Sequence, residues 1–490
     1  MRTTTARPPV TGGAPPAWWR RKAVRRTVRW SAIGITVVLV AVTLGGYAFY
    51  EHLDANLNVV SITGIKDQPP PSAKGVENIL VLGSQTRNGQ AGGQAEFGTD
   101  PNTNLSDNII LFHLNATHTR ATVVSIPRDT LVYEPACGSV PAIPQAIIDG
   151  AMNLGGPSCA VATVEHLTGI RMTHFVEFDF NSFRTMVETV GGVEVCLPQA
   201  VDDPFSHLDL SAGKHLVTGD EALAFVRTRH GVGNGGDLGR IQLQQEFMSS
   251  LIQKIESQGV LENPVKLLQI ANTATGALTV DPGLGSVAKL LDMAAGLRNL
   301  HSKNVTFITM PTIPDPANTN RLLPSEPQDD LLWQMLKTGT LWHGRLPAPA
   351  PRQVQVAVLN GTGIAGLAGQ TATSLRKLGF DVVSVGDAPV ATATTTVGYP
   401  GTAAAGGAYT VAQALTGTPA SQNSGSAGPI TLTIGSDFAG VTAPAAPAQA
   451  GATPSPVAGQ PNAASQPDGV ETRNAAQNIC SGVPDANPDP

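Results

Sequence analysis

The sequence has few charged residues and few cysteines for its length. Charged residues make up 14% of the 490 positions, and the four cysteines show no CxxC spacing. No histidine cluster accompanies them, so the pattern argues against a zinc site. The 41% hydrophobic content, in contrast, allows several domains and at least one sizeable core.

Acidic residues are absent from the first 30 positions. These positions contain eight basic residues, namely Arg2, Arg7, Arg20, Arg21, Lys22, Arg25, Arg26 and Arg29. The whole chain carries a formal charge of −6, so removing these eight positive charges leaves −14 for the rest. A strongly acidic remainder argues against nucleic acid as its main partner.

An uncharged run follows the basic segment 1–29. Residues 30–50, WSAIGITVVLVAVTLGGYAFY, are enough to cross a bilayer core of ~30 Å as a helix. A secretory signal peptide is the alternative, but the run exceeds its usual ~7–15 apolar residues and lacks a clear cleavage site. We therefore expect a single-pass cell-membrane anchor with a cytoplasmic N-terminus and with residues 51–490 outside the cytoplasm. Function there has to proceed without cytoplasmic ATP.

The four cysteines suit an exported protein, in which disulfides are permitted. They are Cys137, Cys159, Cys196 and Cys480, and they allow three full pairings. Cys480 lies in a low-complexity tail. We therefore predict a bridge between Cys137 and Cys159.

The main exported region alternates strand-like and helical patterns. Runs rich in Val and Ile predict strands at 77–84, 107–115, 121–127, 174–180 and 192–198. Helical spacing is clearest at 240–257, and further helices are predicted at 157–168, 180–190, 263–272 and 285–298. The closely spaced strands at 107–127 imply a hairpin. We predict an α/β domain over 76–345, with a mixed sheet packed between helices and a linker at 51–75 before it.

A second, smaller α/β domain is predicted after the Pro-rich spacer at 346–353. Residues 354–388 indicate strand, glycine turn, helix and strand, and 430–440 would return as the last strand of a unit spanning 354–440. The turn GTGIAG at 361–366 resembles a phosphate-binding loop. It lacks a P-loop lysine and an acidic residue placed for a ribose, which favours a plain strand-to-helix turn. Residues 441–490 are predicted to be disordered.

Arginines gather at the ends of the predicted elements of the main domain. In an extended FVRTRH segment, Arg227 and Arg229 would point to one face and converge on one anion, and no aspartate adjoins them. Asp237 stands at a plausible helix N-cap, and Arg240 and Gln244 share a face of the following helix. Arg87 and Arg128 follow predicted strands. Such a set suits a pyrophosphate, although exposed arginines with salt-bridge partners are the alternative.

These segments together resemble the LytR-CpsA-Psr (LCP) family of membrane-anchored cell-wall enzymes. The resemblance rests on NILVLGSQTR, SDNIILFHL, TVVSIPRDTLV, the stretch from LGGP to VETVGGVEVCLP, and GDEALAFVRTRH with GDLGRIQLQQ. The unit at 354–440, with VAVLNGTGIAGLA and IGSDF, is similar to the LytR C-terminal accessory domain that often follows in actinobacterial members.

The resemblance implies a phosphotransferase. It would move an arabinogalactan-like or other glycopolymer from a polyprenyl-pyrophosphate donor to a peptidoglycan acceptor, forming a phosphodiester and releasing polyprenyl phosphate. The donor's pyrophosphate would supply the activation that an extracytoplasmic enzyme needs. Arginines and Mg²⁺ or Mn²⁺ would offset charge on the leaving oxygen. An apolar groove between the sheet and the helices would hold the lipid.

The family pattern also implies roles for individual residues. The pyrophosphate would be bound by Arg87, Arg128, Arg227, Arg229, Arg240 and Gln244. Asp107 would help to hold the metal, although it could be only a turn residue. Asp237 is the candidate base for the acceptor hydroxyl, with a purely capping role as the alternative. Asp129 is interpreted as structural.

The chain departs from the family pattern in three places. Gln85 stands where the family has an acidic residue and offers the metal a neutral oxygen only. Leu105 replaces an arginine, and Ile147, Ile148 and Asp149 replace a Lys-Ile-Asn pattern. A weakly catalytic or non-catalytic paralogue that binds lipid-linked precursors as a scaffold or regulator is therefore the second hypothesis. Pyrophosphate hydrolysis, with water as the acceptor, is a side activity that the same site would allow.

Overall fold

The computed structural model describes residues 17–84, 104–230, 237–257, 263–340, 346–417, 419–425, 427–442, 464–465 and 470–477. The chain divides into two compact units, residues 1–56 and 57–490. The helices are α1 Ala17–Asn56, α2 Ala151–Thr168, α3 Phe180–Thr189, α4 Gly219–Arg227, α5 Asp237–Ser257, α6 Pro264–Ala277, α7 Val287–Gly296, α8 Gln328–Thr338, α9 Leu367–Lys377 and α10 Ala405–Gln413.

Helix α1 makes up the described part of the first unit. Among the residues that the structure describes, no helix is both long enough and apolar enough to cross a membrane. The span predicted for residues 30–50 therefore stays a prediction.

A mixed sheet forms the centre of the second unit, as predicted. Its order is β1-β12-β7-β2-β3-β4-β13-β22-β21. The strands are β1 Asn58–Val59, β2 Glu77–Ser84, β3 Ser106–Leu114, β4 Ala121–Ile126, β7 His174–Phe178, β12 Leu278–Val280, β13 Val305–Thr309, β21 Ala464–Ser465 and β22 Glu471–Asn474. Strands β2, β3 and β4 pair antiparallel, whereas β7 joins β2 and β13 joins β4 in parallel.

The central strands lie between helices on both faces of the sheet. Leu111 and Val124 pack on one side with residues of α2 and α8, such as Val161 and Trp333. On the opposite side, Phe307 and its neighbours contact α5 and α7. Because both faces are buried, these strands are nearly continuous Val, Ile and Leu runs, which is why the sequence predicts them well.

Shorter strands pair outside the main sheet. They are β5 Leu131–Glu134 with β6 Ile143–Ile147, β8 Val193–Leu197 with β11 Gly213–Val217, β9 Val201–Asp203 with β10 Leu208–Leu210, and β14 Thr312–Asp315 with β15 Asn318–Pro324. The strand predicted at 192–198 is therefore confirmed as β8, but it belongs to a two-stranded ribbon. The predicted disulfide between Cys137 and Cys159 is also present, with Cα atoms 5.4 Å apart. Cys480 lies outside the described residues.

The C-terminal α/β region has a sheet of its own, in the order β17-β16-β20-β18-β19. Its strands are β16 Gln355–Asn360, β17 Asp381–Asp387, β18 Thr396–Tyr399, β19 Ala420–Asn423 and β20 Ile430–Ile434. Helices α9 and α10 pack on it. Strand β20 is the returning strand that the sequence predicts, and it lies parallel to β16.

The prediction of a disordered tail over 441–490 was wrong for its last described segment. Strand β22 pairs antiparallel with β13 of the main sheet. Its sequence, ETRN, has no apolar alternation. The strand is held by backbone pairing and by a buried ion pair, and neither leaves a hydrophobic pattern in the sequence.

Candidate functional site

The site begins where β3 starts and its antiparallel neighbour β4 ends. Ile109 of β3 lies opposite Ile126 of β4. Asp107 at the start of β3 and Arg128 just after β4 therefore meet at the same end of these two strands. Arg128 donates to the carboxylate of Asp107. From α5, Arg240 donates through Nη2 to the carbonyl oxygen of Asp107 at 3.0 Å, and its Nη1 lies 3.5 Å from Oδ1. The antiparallel register thus brings together groups that are far apart in the sequence.

Asp237 lies against the same arginines. Its Oδ1 is 2.5 Å from Nη2 of Arg240, 3.8 Å from Nε of Arg128 and 3.9 Å from Nη2 of Arg229. The same Arg229 nitrogen is 4.0 Å from Oδ1 of Asp107. Arg128, Arg229, Arg240, Asp107 and Asp237 therefore form one group, which we call the arginine–aspartate cluster. The sequence places no aspartate beside Arg229, but the fold does.

Burial and charge act against each other within this cluster. The side chain of Arg240 is only 4% exposed, and burial lowers its pKa although Asp237 and Asp107 oppose the shift. Burial also disfavours the charge of Arg128, but Asp107, Asp129 and Asp237 outweigh it and raise the pKa of Arg128. Ion pairs therefore fix these guanidinium groups before any ligand arrives. Arg229, whose side chain is 30% exposed, is the open member of the cluster.

Arg227 reaches the site from a helix and not from an extended strand. Residues up to Arg227 belong to α4, so the predicted extended conformation of FVRTRH was wrong. The segment GDEALAFVR has acidic residues in its first turn and an arginine in its last, and both favour a helix. The guanidinium of Arg227 lies 4.7 Å from the ring centre of Phe180, a cation–π contact. Arg227 and Arg229 nevertheless line the same charged pocket.

The sequence did not indicate Asp203, which holds the backbone of the arginine segment. Its side chain is 1% exposed and accepts from the backbone N–H groups of Phe205, Arg229 and His230 at 3.0, 3.2 and 3.3 Å. Burial would raise the pKa of Asp203, but these donors and His230 outweigh it and lower the pKa. Only its position in the acidic pair DD at 202–203 was visible in the sequence, and that pair has no special spacing.

Gln244 supports the site from behind. Its Nε2 donates to the backbone carbonyl of Val226 at 2.9 Å, next to Arg227 at the C-terminal end of α4. Free carbonyl groups at a helix end need such partners. The amide of Gln244 therefore joins α5 to α4, in addition to lining the pocket with Arg227 and Arg240.

An apolar pocket opens beside the cluster. Its apolar walls come from the sheet, α3, α4 and α5, and they include Ile110, Phe178, Phe183, Leu223, Phe247 and Met248. Asp107, Arg227 and Arg240 line both this pocket and the charged one. The predicted apolar groove between sheet and helices is thus present, and it leads to the arginines.

The aspartates of the cluster fit a Mg²⁺ ion only if the ligand supplies further oxygen atoms to the metal. Within the described residues there is no group of three or more acidic, histidine or cysteine side chains that could hold a metal. Both carboxylate oxygens of Asp237 are buried without a hydrogen-bond partner, although Oδ1 forms ion pairs with arginines. Mg²⁺ is usually bound through one or two carboxylates, waters and substrate phosphates. Asp107 and Asp237 therefore fit a metal that arrives with a phosphorylated ligand.

Of the predicted site residues, Gln85 and Arg87 lie outside the described residues. The structure brings together the others, which are Asp107, Arg128, Arg227, Arg229, Asp237, Arg240 and Gln244. Asp129 lies beside Arg128, with Oδ1 3.6 Å from its Nε. Asp149, at one of the departing positions, is also close: burial raises its pKa to about 6, with Arg128 opposing the shift.

Comparisons with known proteins show which family the chain resembles. The LytR_cpsA_psr family matches residues 48–338, and a second family, described as LytR cell envelope-related transcriptional attenuator, matches residues 353–438. The cell wall biosynthesis protein LcpA of Corynebacterium glutamicum is 29% identical over 92% of this chain and 93% of its own length. TagT of Bacillus subtilis, a polyisoprenyl-teichoic acid–peptidoglycan teichoic acid transferase, is 28% identical over 59% of this chain and 88% of its own.

Among solved structures, a LytR-Csp2A-Psr enzyme from Actinomyces oris is similar at 26% identity and a TM-score of 0.44, covering 57% of this chain and 96% of that one. The first family covers more than half of the sequence and contains every described residue of the arginine–aspartate cluster. The chain therefore belongs to the LytR-CpsA-Psr (LytR_cpsA_psr) family.

Proposed function

We propose that this protein is a phosphotransferase that moves a glycopolymer from a polyprenyl-pyrophosphate carrier to peptidoglycan. One observation carries the proposal: the apolar pocket and the charged pocket share Asp107, Arg227 and Arg240. A ligand that fills both has an apolar chain joined directly to a multiply charged anion. A polyprenyl pyrophosphate is such a ligand. The names of TagT and of LcpA support transfer to the cell wall in general terms.

The arginines act mainly by positioning and by electrostatics. Arg227 lies at the junction of the two pockets and would bind the phosphate nearest the lipid. Arg128, Arg229 and Arg240 would bind the oxygens of the pyrophosphate, each through a fork of N–H donors. Because ion pairs already hold these side chains, little reorganisation is needed as charge develops on the leaving oxygen.

In the transfer step, the acceptor hydroxyl oxygen attacks the phosphorus atom attached to the glycopolymer. The bond from that phosphorus to the bridging oxygen breaks, and polyprenyl phosphate leaves with the electron pair. Asp237, whose Oδ1 lies 3.9 Å from Nη2 of Arg229, takes the hydroxyl proton in this proposal. Its carboxylate is buried against the arginines, so the bound acceptor has to displace Arg229 to reach it. A Mg²⁺ or Mn²⁺ ion held by Asp107 and the phosphates would supply further neutralisation of charge.

The rest of the assignment is also a proposal. The run at 30–50 would anchor the chain in the cell membrane, with residues 51–490 outside the cytoplasm. The polymer would be arabinogalactan-like. The pyrophosphate bond of the donor supplies the free energy, so transfer in that compartment needs no ATP.

A turnover assay with purified full-length protein in detergent micelles tests the function. It would contain an oligosaccharide linked to polyprenyl pyrophosphate, peptidoglycan, and either Mg²⁺ or a chelator, and it would measure released polyprenyl phosphate. We expect release that depends on Mg²⁺ and on peptidoglycan. Release without peptidoglycan would indicate a pyrophosphatase. Donor binding without release under every condition would contradict the proposal and favour a non-catalytic scaffold.

A further inference from the structure

The last described segment of the chain adds a strand to the main sheet. Strand β22 runs antiparallel to β13, with Arg473 opposite Phe307. The backbone N–H of Ala475 donates to the carbonyl of Val305 at 2.9 Å. An edge strand exposes N–H and C=O groups that an added strand can pair with. The C-terminal segment therefore fills the side of β13 that β4 leaves open.

Side chains also tie this segment to α5. Gln253 of α5 donates through Nε2 to the carbonyl oxygens of Ala475 and Gln477 at 2.5 and 3.2 Å. Val470 and Ala475, at the two ends of the strand, are fully buried. The segment is thus held by contacts specific to its own sequence and not by backbone pairing alone.

A buried ion pair joins the strand to the middle of α5. Nη1 of Arg473 lies 3.8 Å from Oε2 of Glu246, and the two side chains are 9% and 6% exposed. The other oxygen, Oε1, accepts from the backbone N–H of Cys196 at 3.1 Å. Burial raises the pKa of Glu246 to about 7, while Arg473 and the Cys196 N–H oppose the shift. Arg473 is therefore the positive charge that makes an ionised Glu246 tolerable inside the protein.

Glu246 connects the two helices that carry the site. It belongs to α5, which also bears Asp237, Arg240 and Gln244. Cys196 lies on β8, which pairs with β11, and β11 leads directly into α4 with Arg227 at its end. The Glu246 carboxylate thus joins α5 to the ribbon before α4, much as Gln244 joins α5 to the end of α4.

We propose that the C-terminal strand is a positioning element for the phosphate site, and that Arg473 acts through Glu246 to hold α5 against β8 and α4. Arg473 itself touches none of the site residues named above. The kinetic and binding parts of its test rest on the proposed function, whereas hydrogen exchange does not. The tail accordingly belongs to the main α/β domain, predicted at 76–345, although it follows the C-terminal domain, predicted at 354–440, in the sequence.

The test is a set of variants in the full-length protein: Arg473→Met, Arg473→Lys and the double variant Glu246→Gln/Arg473→Met. Arg298→Met, at an exposed arginine, is the matched control. In Arg473→Met we expect kcat/KM to fall about tenfold or more, mostly through kcat, as when a remote change displaces reacting groups by a fraction of an ångström. Arg473→Lys keeps the charge and should recover most of the activity.

The double variant shows whether the defect of Arg473→Met comes from an unpaired Glu246 charge or from the loss of the Arg473 side chain itself. Removing both charges leaves no buried ion without a partner, so activity should return to within about threefold of the starting protein. In the single variant the pKa of Glu246 should lie above about 7, because the opposing charge of Arg473 is gone. The defect should therefore be small at low pH, where Glu246 is protonated, and should grow as the pH rises through this higher pKa. The double variant should lose this pH dependence.

Two further measurements do not depend on turnover. Hydrogen exchange should accelerate at the amides of α5 and β13 in Arg473→Met but not in Arg298→Met, and binding of farnesyl pyrophosphate, measured by calorimetry, should weaken. If the starting protein shows no transfer, the exchange result still decides the proposal. Unchanged exchange and binding in Arg473→Met, or a defect that Glu246→Gln fails to relieve, would refute it.

Discussion

The glycine turn of the C-terminal domain and the arginine–aspartate cluster of the main α/β domain both look like anion sites in the sequence. In the turn after β16, several polar groups satisfy one another. The side chain of Asn360 accepts from the N–H of Thr362 at 3.1 Å and donates to the carbonyl of Ile364 at 2.9 Å. The N–H of Gly361 donates to the carbonyl of Ile434. These groups are therefore not free to bind a phosphate.

The glycines of this turn serve the backbone. Gly363 and Gly366 have φ angles of 75° and 80°, which other residues rarely adopt. A Cβ atom on Gly361 would stand 2.8 Å from the carbonyl oxygen of Ile434. The interpretation as a plain strand-to-helix turn is thus supported. A glycine pattern is weak evidence for an anion site, whereas converging arginines beside an apolar pocket are much stronger evidence.

The largest effect should come from removing the open arginine of the cluster. In Arg229→Ala we expect kcat to fall by about 10²–10³, as when one preorganised donor to a developing negative charge is lost. The melting temperature should barely change, because the side chain is partly exposed and the backbone bond to Asp203 remains. The measurement is donor turnover beside a thermal melt.

Arg352→Ala, at an exposed arginine near the second domain, is the control for this variant. It should match the starting protein in both assays. Full activity in both Arg227→Ala and Arg229→Ala would remove the assignment of the phosphate site and with it the contrast between the two domains.

A smaller effect is expected from the glycine turn, where a substitution should lower stability and leave activity unchanged. Asn360→Ala removes the hydrogen bonds that the buried side chain of Asn360 makes with the N–H of Thr362 and the carbonyl of Ile364, each of which contributes about 0.5–1.5 kcal/mol of stability. Transfer activity per folded molecule should stay the same. Chemical denaturation and turnover would be measured together, with Gln355→Ala, at an exposed amide on β16, as the matched control. Loss of activity without loss of stability would mean that this turn does bind a ligand.

The sequence predicts the central part of the fold well because burial on both faces makes its strands continuous apolar runs. Strands β2, β3 and β4 appear almost within the predicted bounds. The arginines could be placed together because each follows a strand or lies near a helix end. Arg227 was assigned to the wrong type of element, since FVRT alternates like a strand although the segment before it favours a helix.

Long-range polar contacts account for the structural features that the sequence did not predict. Asp203 supports Arg229 from a separate ribbon, and Arg473 reaches Glu246 from a tail whose composition resembles disorder. Such pairs form only once the fold exists, and they leave no periodic pattern in the chain. Cross-domain contacts belong to the same class: the hydroxyl of Tyr399 donates to Asp330 of α8 at 2.8 Å.

The smallest expected effect concerns the metal. The resemblance implies an acidic residue at the position of Gln85, so we expect Gln85→Asp to add one carboxylate to the metal site that Asp107 is proposed to form. An exposed ionic contact contributes about 0.2–1 kcal/mol, which corresponds to an about 1.5- to 5-fold lower Mg²⁺ concentration for half-maximal turnover. Gln90→Asp, in the same segment, adds the same charge at a position outside the motif. An equal shift in both variants would mean that Gln85 does not face the metal and that the cluster of arginines and aspartates binds the pyrophosphate without help from that segment.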